Sequence, residues 1–303
     1  MALPVIAITV GDPAGIGPEI ARKAAASPNV MGCCRPVLYG PWSDEALKPF
    51  PAGAPTAASG AAAYEAVDAA VRDAREGTVA AIATGPVSKE ALAMAGYPWK
   101  GHTDLLAHLT GATRVAMMFW SPRLRVVLAT VHLPLSEVPS ALTAATLRDA
   151  VELSHLELPR FGVPHPRIGV AALNPHAGEG GLMGHEEDTV MRPAIAAMRD
   201  EGIDVTGPFP ADTLFVRAAR GDFDVIVAAY HDQGLIPVKL LGFGAAVNVT
   251  LGLPIIRTSV DHGTAYDIAG KNQAEEGSLV EAIMLAARLA GGPLPPPTAR
   301  IGL

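Results

Sequence analysis

Short apolar runs recur along this chain, and a glycine or a histidine follows each within a few residues. Residues 4–10 run into Gly11, 124–131 into His132, 167–173 toward His176, and 224–229 toward His231. Runs this short and this continuously apolar are the pattern of strands buried on both faces. Between them lie stretches of helical spacing. From Ser59 to Arg75, for example, Ala63, Val67, Ala70, Val71 and Ala74 form one face, with Glu65, Asp68, Arg72 and Asp73 opposite. Strands alternating with helices, without an internal repeat, predict an α/β fold with a largely parallel sheet. Strand carboxyl ends of such a sheet share one edge, and ligands bind there. The 303 residues, 50% of them hydrophobic, suffice for one large core or two packed domains.

Several classes of function are disfavoured. The net charge is -7 and no Lys/Arg run is present, which argues against a nucleic-acid surface. No apolar segment approaches the ~20 residues of a membrane span. Residues 1–4 lack the charged and apolar regions of a signal peptide. Cys33 and Cys34 are adjacent and poorly placed to bridge each other, so a reduced, cytoplasmic protein is expected.

The loops after the strands carry the chemistry. Gly11-Asp12-Pro13-Ala14-Gly15-Ile16-Gly17-Pro18-Glu19 reads as strand, glycine turn, helix start, with Pro18 and Glu19 suited to a first helical turn. Its spacing is not that of the G-x-G-x-x-G dinucleotide fingerprint. His132, His176 and His231 each follow a strand, so their imidazoles could converge on one edge. Three histidines with a vacant position form a catalytic divalent-metal arrangement. Three separate, partly buried histidines are the alternative. Lys239, Asn248, Arg257, His102 and Thr103 could donate to a carboxylate or phosphate. Lys239 could also act as a base once desolvated. Thr103 otherwise reads as a helix cap, Asp212 as a cap within a loop over residues 208–213, and Arg257 as an exposed edge position. Ser278 reads as the cap of a last helix reaching Leu289, ahead of a frayed proline-rich tail at residues 293–297.

Taken together, the motifs resemble the 4-hydroxythreonine-4-phosphate dehydrogenase family of vitamin B6 synthesis. They are the glycine loop at 11–19, Gly101-His102-Thr103, Thr130-Val131-His132-Leu133-Pro134, Asn174-Pro175-His176-Ala177-Gly178-Glu179-Gly180, Pro210-Ala211-Asp212-Thr213, Tyr230-His231-Asp232-Gln233-Gly234 and Ser259-Val260-Asp261-His262-Gly263-Thr264-Ala265. The resemblance implies two α/β/α domains with a cleft between them, similar to isopropylmalate and isocitrate dehydrogenases. One domain would take residues 1–122 with 263–303, and a middle domain, 123–262, would carry the metal ligands and dimer contacts. It implies a homodimer with the active site at the subunit interface. One divalent metal per site, zinc first and cobalt, manganese or magnesium as options, would sit on His132, His176 and His231, with His231 coming from the partner. His102, Thr103, Lys239, Asn248 and Arg257 would hold a small phosphorylated hydroxy acid. Gly263, Thr264, Ala265, Asp267 and Asn272 look like an adenosine-binding loop, in which Asp267 would accept from a ribose hydroxyl and repel a 2′-phosphate, favouring NAD over NADP. Lys239 or Asp212 would be the base. Related branches act on 4-phosphorylated threonate or erythronate, or on aromatic cis-dihydrodiols. A compressed stretch between Trp42 and Gly60 leaves that choice open. A metal-dependent hydrolase would leave the two glycine segments and Asp267 without a purpose, and a non-catalytic phosphate-ester binding protein is a third reading.

Overall fold

A computed structural model of the chain describes residues 2–242 and 244–291. The expected proline-rich tail at 293–297 lies outside the described residues. The chain divides into two compact units, Met1–Gly111 with Pro254–Leu303, and Ala112–Leu253.

In the first unit, β1 (Val5–Thr9), β2 (Arg35–Tyr39), β3 (Ala81–Thr84) and β10 (Arg257–Ser259) run parallel in the order β2-β1-β3-β10. The helix Ala57–Glu76 packs against β1 and β3, and the helix Gly277–Leu289 against β3 and β10. The strands are apolar because helices cover them. Ile6, Ile8 and Ile82 are fully buried, each contributing ~1.5–3 kcal/mol relative to exposure. Thr56 and Ser59 form a reciprocal capping box at the start of the Ala57–Glu76 helix, and Gly77 at φ 77° ends it.

In the second unit the order is β9-β4-β5-β8-β6-β7, from β4 (Ala116–Trp120), β5 (Arg125–Leu128), β6 (Ile168–Ala171), β7 (Val205–Phe209), β8 (Val225–Ala228) and β9 (Val247–Leu251). β4 is antiparallel to both β5 and β9, while β5, β8, β6 and β7 are mutually parallel. Met117, Phe119, Val126, Leu128, Ile226 and Ala228 centre its core, with Leu214, Leu235 and Val238 packed on from helices. The antiparallel pairing of β4 with strands of this unit is why the chain divides at Gly111, before β4.

Several expectations need correcting. Residues 205–209 form a strand that the sequence hides, because Gly207 and Pro208 interrupt its apolar pattern; a proline is tolerated there since β7 is an edge strand. Thr103 does not cap its helix. Gly101, at φ 158° and ψ -169°, takes the N-cap position and puts Thr103 inside the first turn. Asp212 likewise lies inside the first turn, behind the N-cap Pro210, and its Oδ1 accepts from the Thr213 amide. Ser278 follows the N-cap Glu276, and its hydroxyl donates to Asp261 instead. Arg257 is no exposed edge residue but is 2% exposed within β10. Among the described residues, no helix is long and apolar enough to cross a membrane.

Candidate active site

β5, β8 and β6 are adjacent and parallel, so their carboxyl ends lie on one edge of the second unit. His132, His231 and His176 follow those three ends in turn. Two side chains lace the ends together. Thr130 Oγ1 donates to Ala229 O at 2.7 Å, joining the β5 exit to the β8 exit. Gln233 accepts from the Ala229 amide at 2.7 Å and donates to Ala172 O at 2.7 Å, joining β8 to β6. Both residues sit within the sequence motifs, but their role is invisible there because it depends on which strands become neighbours.

His132 and His231 come together, with ring centroids 5.5 Å apart. They line a pocket of about 240 Å³ with Thr130, Leu133, Tyr230 and Asp232. His231 opens the helix His231–Gly242, and its Nδ1 is 2.7 Å from Asp232 Oδ1. A carboxylate at Nδ1 fixes the tautomer and leaves Nε2 to a cation, the usual outer arrangement of a metal-binding histidine. His132 and His176 both adopt positive φ, 50° and 51°, a conformation that costs energy in a non-glycine residue and persists where a site demands it. The donor set therefore suits a divalent cation that accepts nitrogen ligands. His176 is exposed and does not join the other two within one chain. Among the described residues, no group of three His, Cys, Asp or Glu could hold a metal ion. Lys239 lies eight residues, about 12 Å of helix, beyond His231 and is exposed, as is Asp212. Asn248, on β9, keeps its Oδ1 buried without a hydrogen-bond partner.

In the first unit, the charge of Arg257 acts on His102. Burial, and secondarily the positive charge of Arg257, lower the His102 pKa well below 6.5, so its ring is neutral at physiological pH. Its Nε2 is buried without a hydrogen-bond partner. Arg257 donates to Thr84 Oγ1 from Nη2 at 2.7 Å and from Nε at 3.2 Å, and burial lowers its pKa.

The two glycine segments are knitted together in the same unit. Ile16 N donates to Thr264 O at 2.9 Å, and a Cβ on Gly15 would stand 2.8 Å from that oxygen. Asp12, fully buried, accepts from Ala14 N at 2.9 Å, from Ser59 Oγ at 3.3 Å and from Tyr266 Oη at 2.7 Å. Glu19 accepts from the amides of Ala274 and Asn272 at 2.8 and 3.3 Å. Ala265 and Asn272 take φ 43° and 54°, and Asp267 is exposed on the loop between them. Glycine turns fastened in this way let a ligand approach the backbone closely.

Two such α/β units have the fold class of the β-decarboxylating dehydrogenases. A β-decarboxylating dehydrogenase from Thermococcus kodakarensis shares that fold at a TM-score of 0.57, 16% identity, and coverage of 95% of this chain and 84% of the other. The chain belongs to the family described as pyridoxal phosphate biosynthetic protein PdxA, whose model matches residues 20–286. It is 46% identical to 4-hydroxythreonine-4-phosphate dehydrogenase of Geobacter metallireducens, over 95% of this chain and 96% of that one. It is 45% identical to D-threonate 4-phosphate dehydrogenase of Cupriavidus necator, over 95% and 98%. The crystal structure of the 4-hydroxythreonine-4-phosphate dehydrogenase from Klebsiella pneumoniae superposes with a TM-score of 0.87 at 41% identity, covering 95% of this chain and 99% of that one.

Proposed function

We propose that this chain is an NAD-dependent, divalent-metal-dependent dehydrogenase that oxidises 4-hydroxythreonine 4-phosphate. Its alcohol carbon loses hydride and its hydroxyl loses a proton. The resulting β-keto acid then loses carbon dioxide and becomes 3-amino-2-oxopropyl phosphate. The observation that carries this reading is the row of His132, His231 and His176 after the adjacent parallel strands β5, β8 and β6, at the carboxyl edge of a dehydrogenase-family sheet. When bound, the cation supplies Lewis acidity toward the alcohol and NAD accepts the hydride.

The remaining work belongs to the chain. His132 and His176, with a second copy's His231, hold the cation, zinc by ligand preference. Neutral His102 can donate to or accept from a substrate oxygen. Arg257 supplies buried positive charge toward the phosphate, and Thr103, Lys239 and Asn248 supply donors. Lys239 or Asp212 takes the hydroxyl proton. Gly263, Thr264, Ala265 and Asn272 shape the adenosine loop, where the Asp267 carboxylate selects against a 2′-phosphate.

A thermal-shift screen tests this. NAD, Zn²⁺ or Co²⁺, and the phosphorylated hydroxy acid should each raise the melting temperature, because each binds only the folded chain. No response to NAD would contradict it. The likeness to a D-threonate 4-phosphate dehydrogenase favours a second reading, in which the same machinery oxidises a 4-phosphorylated threonate.

Burial works against the Arg257 charge, but a guanidinium keeps its proton throughout the working pH range, so Arg257 contributes no step to anion binding. His102, its pKa lowered well below 6.5, is neutral at and above neutrality and contributes none either. KM for the phosphorylated substrate should therefore show no loss of binding from either group between about pH 7 and 9. A KM that rises as an imidazole titrates near neutrality would contradict this assignment.

The homodimer is part of the proposal. Ile236 and Leu240 are 66% and 81% exposed one turn apart on the helix that begins with His231. Apolar side chains in that position suit a helix face covered by a second copy. Ile236→Glu combined with Leu240→Glu should yield monomers on size exclusion and abolish turnover. An active monomer would refute the shared site.

A further inference from the structure

Residues 176–181 all lie at positive φ: His176 51°, Ala177 55°, Gly178 79°, Glu179 43°, Gly180 66° and Gly181 91°. L-residues enter the left-handed region singly and at a cost, so a run of this kind persists only where its surroundings over-determine it. The fastening is one buried carboxylate. Glu187 is 1% exposed; its Oε1 accepts from the Asn174 amide at 2.7 Å and its Oε2 from Asn174 Nδ2 at 2.9 Å. Glu186 Oε2 accepts from the same Nδ2 at 2.8 Å. Two glycines make room for this clamp. A Cβ on Gly178 would stand 2.9 Å from Glu187 Oε2, and one on Gly184 would stand 2.4 Å from Asn174 Nδ2. Glu187 also opens a one-turn π-helix, Glu187–Met191, an irregularity that recurs at functional sites.

We infer that Glu187 is a positioning residue: it grips Asn174 on one side of the left-handed turn and packs against Gly178 within it, fixing where His176 presents its imidazole. This rests on the reading of His176 as a metal ligand. A carboxylate that only filled the core would alter stability and leave metal affinity alone. The clamp alters both the ligand's geometry and the order of residues 176–181.

The test uses the full-length dimer stripped of metal by chelation. Co²⁺ affinity is measured by titration calorimetry, and amide exchange is followed over residues 176–181. Glu187→Gln keeps the size but sets an amide donor against one donor of Asn174. Co²⁺ binding should weaken roughly 10- to 100-fold, the usual effect of removing an outer-sphere partner, with faster exchange in the turn. Asn174→Ala leaves the backbone bond to Glu187 and should weaken binding less. It also serves as the test if Glu187→Gln fails to fold. His176→Ala, run in parallel, should lose Co²⁺ binding. Unchanged affinity in the folded Glu187→Gln or Asn174→Ala protein, with His176→Ala defective, would overturn the positioning role alone. Unchanged affinity in His176→Ala would overturn the ligand reading beneath it.

Discussion

His176→Ala is expected to lower kcat/KM by on the order of 10³-fold or more, about 4 kcal/mol of transition-state stabilisation, while the dimer persists. His176 is exposed at the end of β6 and lies in the strained run described above, so removing its ring creates no cavity in the core. The loss should fall on metal content and on NADH formation together. A chain that merely misfolded would instead lose its dimer and its cooperative melt. Full activity with the ring gone would refute a metal role for this position, whatever His132 and His231 do in their pocket.

Gly17→Ala should be among the most damaging small substitutions in the glycine loop. An alanine Cβ there would lie 1.8 Å from Val10 O and 3.1 Å from Val10 C. That carbonyl belongs to the backbone leaving β1, so relief means moving the strand or the Gly17–Ala25 helix. A destabilisation of about 3 kcal/mol or more is expected, which lowers the melting temperature by roughly 6–12 °C. Gly32→Ala is the control. Nothing lies within 4 Å of its Cβ position, so its effect should stay within about 0.5 kcal/mol or be slightly favourable. Equal melting temperatures for the two variants would show that close backbone approach does not constrain the loop.

The strands were legible because covered parallel strands must be apolar throughout; β1, β3, β6 and β8 stand out for that reason. β7 was not legible, since Gly207 and Pro208 break its pattern and only its place at the sheet edge permits them. The histidine edge could be read from where each ring follows a strand. Which rings meet could not, because that depends on strand order: β8 lies between β5 and β6 in the sheet but follows both in sequence. Arg257 shows the same limit. One arginine in an apolar run is as compatible with an exposed edge as with burial, and its neighbours Thr84 and His102 are remote in sequence. Thr130, Gln233, Asp12 and Glu187 went unread as holders of the site, since each acts through a partner that only the fold supplies.

The central claim is tested most directly by following NADH absorbance with the purified protein, Zn²⁺ or Co²⁺, NAD and 4-hydroxythreonine 4-phosphate, with 4-phosphothreonate as the competing substrate. The account predicts NADH formation that requires both the cation and the phosphate ester, accompanied by release of carbon dioxide. NADH formed equally well after chelation, or none formed from either phosphorylated acid, would contradict it.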